Sequence, residues 1–343
     1  MIAATGAATS RRRLLAAAGG LAAMGSLAGF RPGLAAAALA EPALPDPALP
    51  GSTWQGAGFY RFSLGDLQLA TVSDGTFLAR PVQPLLAPDA PPSAFAETLH
   101  RSFLPADRAG IQVSALFVDT GRQKILIDAG AGSVMGDGLG QLVRNLGRAG
   151  IAPEAIDLVV ISHAHIDHLA GAFDAAGAPV FPNAGYVIGQ KEWEFWHRAD
   201  IRLGDRLPDA AGRIQATRTW LAAIEGRVRM VRQGQEVVPG VTALAAFGHS
   251  AGQLAFLLES RGESLFYTAD LVHHPVLGLQ HPEWHVGFDD DPVLAVAARR
   301  QALERAVVDR LLVQAPHFPF PGLGHVVRRG GTAYGWEPVF WQW

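Results

Sequence analysis

No cysteine occurs anywhere in the 343 residues. Disulfides, thiolate nucleophiles, iron–sulfur clusters and cysteine-ligated zinc are thereby excluded, and any metal must be held by nitrogen and oxygen. The chain also lacks a surplus of either charge: 28 Lys and Arg face 31 Asp and Glu, a formal net charge of −3. Neutralising a phosphate backbone requires a basic field, so nucleic acid is not an expected partner. A long unbroken apolar run is missing too. The Ala/Gly/Leu-rich stretch after Arg13 is interrupted by glycines and by Arg31-Pro32, which leaves too little to span a hydrocarbon core of about 30 Å. What is present is bulk: with 49% of residues hydrophobic, the chain can bury one large core or two small ones.

The order at the N-terminus is charged, apolar, then small. Ser10-Arg11-Arg12-Arg13-Leu14-Leu15 opens the apolar run to Phe30, and a second run ends Ala38-Leu39-Ala40. Paired arginines before a weakly hydrophobic core resemble a twin-arginine export signal, and predict a signal over 1–40 and a periplasmic or secreted protein with no stable membrane span after processing. The sequence EPALPDPALPGS over 41–52 reads as a Pro-rich spacer, so one folded domain is expected over 53–343.

Within that domain, Tyr60–Leu64 and Leu67–Ser73 flank Gly65-Asp66, and Gln112–Thr120 and Lys124–Asp128 flank Gly121. Both pairs suit antiparallel strands about a tight turn. Ala94–Phe103 suits a short helix. Leu139, Leu142, Leu146 and Ala149 recur at helical spacing before Gly150, which predicts an amphipathic helix; Ile156–Ile161 follows as a buried strand. A second block repeats the plan with strands at Val241–Phe247, Gln253–Glu259 and Ser264–Tyr267, a helix from Pro292 to about Asp309, and a strand at Leu311–Gln314. Asp291 before Pro292 suits an N-cap, and the run Asp289-Asp290-Asp291 is read as helix capping rather than a calcium site. Two strand-then-helix blocks without strict alternation predict an α/β protein built as an αββα four-layer sandwich.

The densest chemistry is Ser162-His163-Ala164-His165-Ile166-Asp167-His168, directly after the apolar run ending at Ile161. Four metal-competent side chains in six residues are too crowded for one face of a helix or strand, and suit a loop at a strand's carboxyl end. There His163 and His165 can converge on one ion while Asp167 and His168 turn toward another. Imidazoles and carboxylates suit zinc, manganese, iron or cobalt better than magnesium or calcium. His249, Asp270 and His317 each follow an apolar run in the same way, so that one end of a sandwich gathers them all.

The pattern His-x-His-x-Asp-His after an apolar strand resembles the metallo-β-lactamase superfamily. Gly248-His249-Ser250-Ala251-Gly252, Tyr267-Thr268-Ala269-Asp270, Ala315-Pro316-His317-Phe318 and Asp128-Ala129-Gly130 continue the resemblance in order. It implies that His163, His165 and His249 bind one divalent ion and Asp167, His168 and His317 a second, with Asp270 bridging. It further implies that the ions, zinc first, share a hydroxide for hydrolysis, with Asp167 and Asp270 as the catalytic carboxylates.

A bridging aspartate without a cysteine ligand points to the lactonase and phosphotriesterase branches. Asp270-Leu271-Val272-His273-His274-Pro275 and Gln280-His281-Pro282-Glu283-Trp284 resemble the methyl parathion hydrolase and lactonase-like branch. The expected substrate is a neutral, hydrophobic lactone or ester, with phosphotriesters second. Trp193, Phe195 and Trp196 are expected either to line its pocket or to pack in the core, with His273 and His274 beside the bridging aspartate, His281 and His285 at the surface, and 199–223 as an insertion over the site. Assembly as a homodimer is left open. The rival readings are a mononuclear iron oxygenase on the same fold and a non-catalytic, metal-stabilised binding protein.

Overall fold

The computed structural model describes residues 56–203 and 209–341; the expected signal and spacer, and 204–208 of the expected insertion, lie outside the described residues. Among the described residues, fourteen strands form two seven-stranded sheets in which spatial order follows chain order. The first holds β1 (Phe59–Leu64), β2 (Leu67–Ala79), β3 (Ala109–Asp119), β4 (Lys124–Ile127), β5 (Leu158–Ile161), β6 (Gly185–Gly189) and β7 (Val228–Val231). Its first four strands are antiparallel and its last four parallel. The second holds β8 (Glu236–Val238), β9 (Val241–Ala245), β10 (Leu254–Ser260), β11 (Glu263–Tyr267), β12 (Leu312–Gln314), β13 (Leu323–Gly330) and β14 (Ala333–Pro338), with one parallel pair, β11 and β12.

The near-continuous apolar runs arise because both faces of each sheet are covered, so successive side chains enter different cores. Along β3, Ala115 and Phe117 face one cluster while Leu116 and Val118 face another. The shared cluster lies between the sheets, where Leu116, Ile125, Ile127, Val160 and Val187 meet Leu254, Phe256, Leu258 and Leu265. The outer face of the first sheet packs on Leu142, Leu146, Trp193, Trp196, Leu221 and Ile224 of three helices, Leu142–Arg148, Gln190–Trp196 and Ala210–Ile224. The outer face of the second packs on Leu303 and Ala306 of helix Pro292–Val308. The four layers are therefore helix, sheet, sheet, helix.

A satellite core joins Ala79, Val82, Leu86, Phe95, Leu99 and Ile111 to Leu277 and Val286. It makes the segment between β2 and β3 a cap that packs on the residues after β11. Among the described residues no helix is long and apolar enough to cross a membrane.

Several boundaries move for local reasons. The helix expected from Leu139 starts at Leu142, because Gly140 takes φ +80 and Leu142 donates its amide to Asp74. The strand expected to end at Ser73 continues to Ala79 through a register shift at Gly75. That glycine has φ +130, and a Cβ there would meet Gly138 O at 2.0 Å, so the bulge and the close loop both need glycine. Strands β6, β7, β8, β13 and β14 were not expected, being short or flanked by charge. Helix Ala210–Ile224 occupies the later part of the expected insertion and packs against the first sheet, while 199–203 are irregular.

Candidate metal centre

The donor residues come from four strand ends. His163, His165, Asp167 and His168 follow β5 in the first sheet; His249, Asp270 and His317 follow β9, β11 and β12 in the second. His165 Nδ1 lies 3.0 Å from His163 Nε2 and 2.9 Å from His249 Nε2. With one ring nitrogen of His165 facing two others, a single N–H is all that neutral rings can share among the three, whereas a cation engages every one of these nitrogens.

The second group is mixed. Asp270 Oδ1 lies 2.9 Å from His168 Nε2 and 3.0 Å from His317 Nε2, while Asp167 Oδ2 stands 3.6 and 3.7 Å from the same two nitrogens. His168 Nε2 is buried and its short approach to Asp270 lacks the alignment of a hydrogen bond, a geometry suited to two ligands of one ion. The other oxygen of Asp270, Oδ2, faces His249 at 3.2 Å and His163 at 3.7 Å. One carboxylate thus addresses both groups with different atoms. The donor atoms within each group lie within 4.8 Å of one another, and the residues fit divalent cations held by nitrogen and oxygen.

Partners behind the rings fix their orientation. His168 Nδ1 donates to Asp128 Oδ2 at 2.8 Å, His249 Nδ1 to Asp289 Oδ1 at 2.8 Å, and His317 Nδ1 to the Gln112 carbonyl at 2.7 Å. Each leaves Nε2 turned to the cluster, as outer partners of metal-binding histidines do. Asp128 also accepts from the Ser162 amide and hydroxyl and from Tyr267 Oη, which ties β4, β5 and β11 together beneath the site.

The charges of the polypeptide alone divide the rings. Burial favours every neutral imidazole, yet Asp270, Asp167 and Asp128 raise His168 well above its ordinary value. Against the same burial, Asp270 and Asp289 lift His249 to about 10, and Asp270 and Asp167 raise His317. His163 is lowered, by burial first and then by His168. Burial would raise the pKa of Asp270, but His168, His317 and His163 hold it well below the carboxylate range.

All seven donors named from the sequence meet in this cluster; the expected pocket residues do not line it as a set. Trp193 and Trp196 are buried in the core outside the first sheet. Three residues apart on helix Gln190–Trp196, they share its inward face, which corrects their reading as pocket walls. Phe195 is half-buried and packs edge-on against Trp196. His273 does join the site, with Nε2 3.0 Å from Asp270 Oδ2. His274 instead turns away and accepts the amides of Val276 and Leu277 at the start of helix Leu277–Gln280.

His281 and His285 are half-buried rather than surface groups: His281 stacks on Trp284 and meets Thr98 Oγ1, and His285 lies 3.3 Å from Asp89. Two aromatic side chains among the described residues reach the donors: Phe288, edge-on to His249 and His273 at 5.6 and 5.2 Å, and Trp196, whose otherwise buried ring is edge-on to His165 at 6.4 Å. Asp291 caps its helix as expected by accepting from Leu294, but Asp289 points inward to His249 and belongs to the site. The triple-aspartate run signalled a cap that needs one carboxylate, which left two without a task. Glu192, also missed, is fully buried beside the first group.

The model of the metallo-beta-lactamase superfamily matches residues 108–317, more than half of the chain. An N-acyl homoserine lactonase of Bacillus cereus is 26% identical over 178 residues, 52% of this chain and 62% of that protein; the chain thus spans a little under two thirds of that relative's length. Among solved structures it is similar to AidC, a dizinc quorum-quenching lactonase in complex with a product, at 27% identity and TM-score 0.79 over 83% of this chain and 98% of that one. It is also similar to the hydrolase AbOPH of the beta lactamase superfamily, at 30% identity and TM-score 0.77 over 84% and 99%. By the extent of the family match, the chain belongs to the metallo-beta-lactamase superfamily.

Proposed function

We propose that the chain, as a metal-dependent hydrolase of this superfamily, opens neutral lactones that carry an apolar acyl chain, with two divalent cations, zinc first, as cofactor. The observation that carries this is Asp270, whose two oxygens address two separate donor groups. That division is also why a mononuclear iron centre is not favoured. Bound there, a cation pair supplies an activated water and a Lewis acid for the developing oxyanion.

The chain's own residues do the rest. His163, His165 and His249 hold one ion and Asp167, His168 and His317 the other, with Asp128, Asp289 and the Gln112 carbonyl keeping three of the rings in register. His165 and Asp167 are the half-exposed members, so the cluster opens on their side. Asp167 Oδ2 lies 3.6 and 3.7 Å from His168 Nε2 and His317 Nε2, where it would share their ion and face the side on which substrate enters. Phe288 and the cap offer apolar surface beside the donors. The sequences around the donors, 160–172, 246–254, 267–276 and 312–320, contain no Lys or Arg, and a phosphate monoester or other anion would call for such clamps.

The substrate class follows the relatives: the Bacillus cereus protein is a lactonase and AidC binds a lactonase product. N-acyl homoserine lactones of graded chain length, simple lactones, aryl esters, phosphotriesters, thioesters and a β-lactam should be assayed with the purified protein beside elemental analysis. The expected result is two zinc ions per chain and the highest kcat/KM on acyl lactones. Preference for thioesters or β-lactams would overturn the substrate reading, and one iron per active chain would overturn the cofactor reading.

A further inference from the structure

The segment Lys191–Trp196 stands out in the sequence for its aromatics, but its chemistry resides in a carboxylate. Glu192 is fully buried. Its Oε1 accepts from the Ala164 amide at 2.9 Å, the Trp196 indole at 2.7 Å and the Ser250 hydroxyl at 2.7 Å; its Oε2 accepts from Ser250 at 2.6 Å and the Gly252 amide at 2.9 Å. Ala164 lies between His163 and His165, and Ser250 and Gly252 follow His249. The two loops that carry the first donor group therefore share one ionisable anchor. Gly252 is pressed so closely on the helix start that a Cβ there would meet Glu192 N at 2.0 Å. None of these bonds goes to Asp167, His168, Asp270 or His317.

We infer that Glu192 is a positioning residue that sets the spacing of His163, His165 and His249, and with it the cation affinity of that group separately from the other. The inference rests on the two-metal reading above. Its cause is geometric. The two loops leave different sheets, β5 in one and β9 in the other, and three imidazole nitrogens bind one ion well only if the loops keep a fixed separation. Bonds to a carboxylate are short and strong, and here they join both loops to one rigid group. In Glu192→Gln one end becomes an amide NH2 facing the Gly252 N–H, donor against donor.

The test is a titration of metal-stripped wild type, Glu192→Gln and Ser250→Ala with cobalt(II) against a chromophoric chelator, with the cobalt absorption spectrum recorded at each step. Wild type should take two ions. Glu192→Gln should keep one at near wild-type affinity and bind the other about ten- to a hundredfold more weakly, and Ser250→Ala should shift the same ion by less. In the Glu192→Gln background, adding His317→Ala should abolish the tight ion, whereas adding His249→Ala should leave it.

Equal weakening of both ions would make Glu192 a general support of the fold and overturn the inference, as would unchanged binding. Should Glu192→Gln fail to fold, Ser250→Ala carries the same comparison. Two ions in wild type with no selective loss in the variants defeats the Glu192 role alone, whereas a single ion in wild type defeats the two-metal reading and the inference with it.

Discussion

His274 is buried four positions after a candidate donor, and its ring nitrogen Nδ1 accepts two backbone amides at 3.2 Å. Protonating that nitrogen would set N–H against N–H, and burial alone already lowers its pKa from 6.5 to about 4. The unfolded chain binds a proton here below about pH 6.5, while the folded chain resists until about pH 4. Its contribution to stability is therefore complete above pH 6.5 and is lost as the pH falls toward 4, by about 3 kcal/mol. His274→Asn keeps an acceptor for the two amides and removes the titration. Denaturant unfolding from pH 7 to pH 4 should show wild type losing about 3 kcal/mol more than the variant; parallel curves would mean the ring is already protonated in the fold. The same residue marks a limit of reading a sequence. Two adjacent histidines look alike there, and only the turn after β11 decides that His273 faces Asp270 and His274 faces the backbone.

Donor loops were legible at the scale of elements because each follows an apolar run, and strand ends in a two-sheet sandwich gather at one edge. Their outer partners were not. Asp289 sits three residues before Pro292 and Glu192 on a separate helix, and neither lies near in sequence to the ring or loop it serves. The strands were partly legible: β4 and β5 declare themselves by runs of Val, Ile and Leu, but β13, with Arg328 and Arg329 at an exposed end, does not. The aromatics of helix Gln190–Trp196 left pocket wall and core both open in the sequence, and its face toward the sheet is core. Trp196 is 1% exposed and donates its indole N–H to Glu192. Trp196→Ala should therefore cost about 3–5 kcal/mol in denaturant unfolding, before any change in chain-length preference. A variant of wild-type stability with only a raised KM would return the residue to the pocket.

Over the whole molecule, the candidate centre joins the two sheets. Three of its histidines leave the first sheet after β5, and His249, Asp270 and His317 leave the second after β9, β11 and β12. Cations held there clamp the open end of a sandwich that is otherwise closed by apolar contacts such as Leu116, Val160 and Phe256. A ligand bound only by the folded state stabilises it by about 4 kcal/mol at a thousandfold excess over its Kd, so chelation should lower Tm clearly. The sign of the pH dependence follows from the rings. Without a cation, His249 titrates at about 10, and His168 and His317 are also raised. Their protonation supports the stripped fold fully below about pH 6.5 and fades as the pH climbs through those raised values. A cation requires the same rings neutral and must expel their protons. The Tm gap between loaded and stripped protein should therefore widen from pH 6 to pH 9. Calorimetric zinc binding at pH 7, compared in buffers of different ionisation enthalpy, should report more than one proton released per chain. Zero release with a pH-independent gap would show that the rings are neutral before the cation arrives, and that the carboxylates alone do not hold the cluster charged.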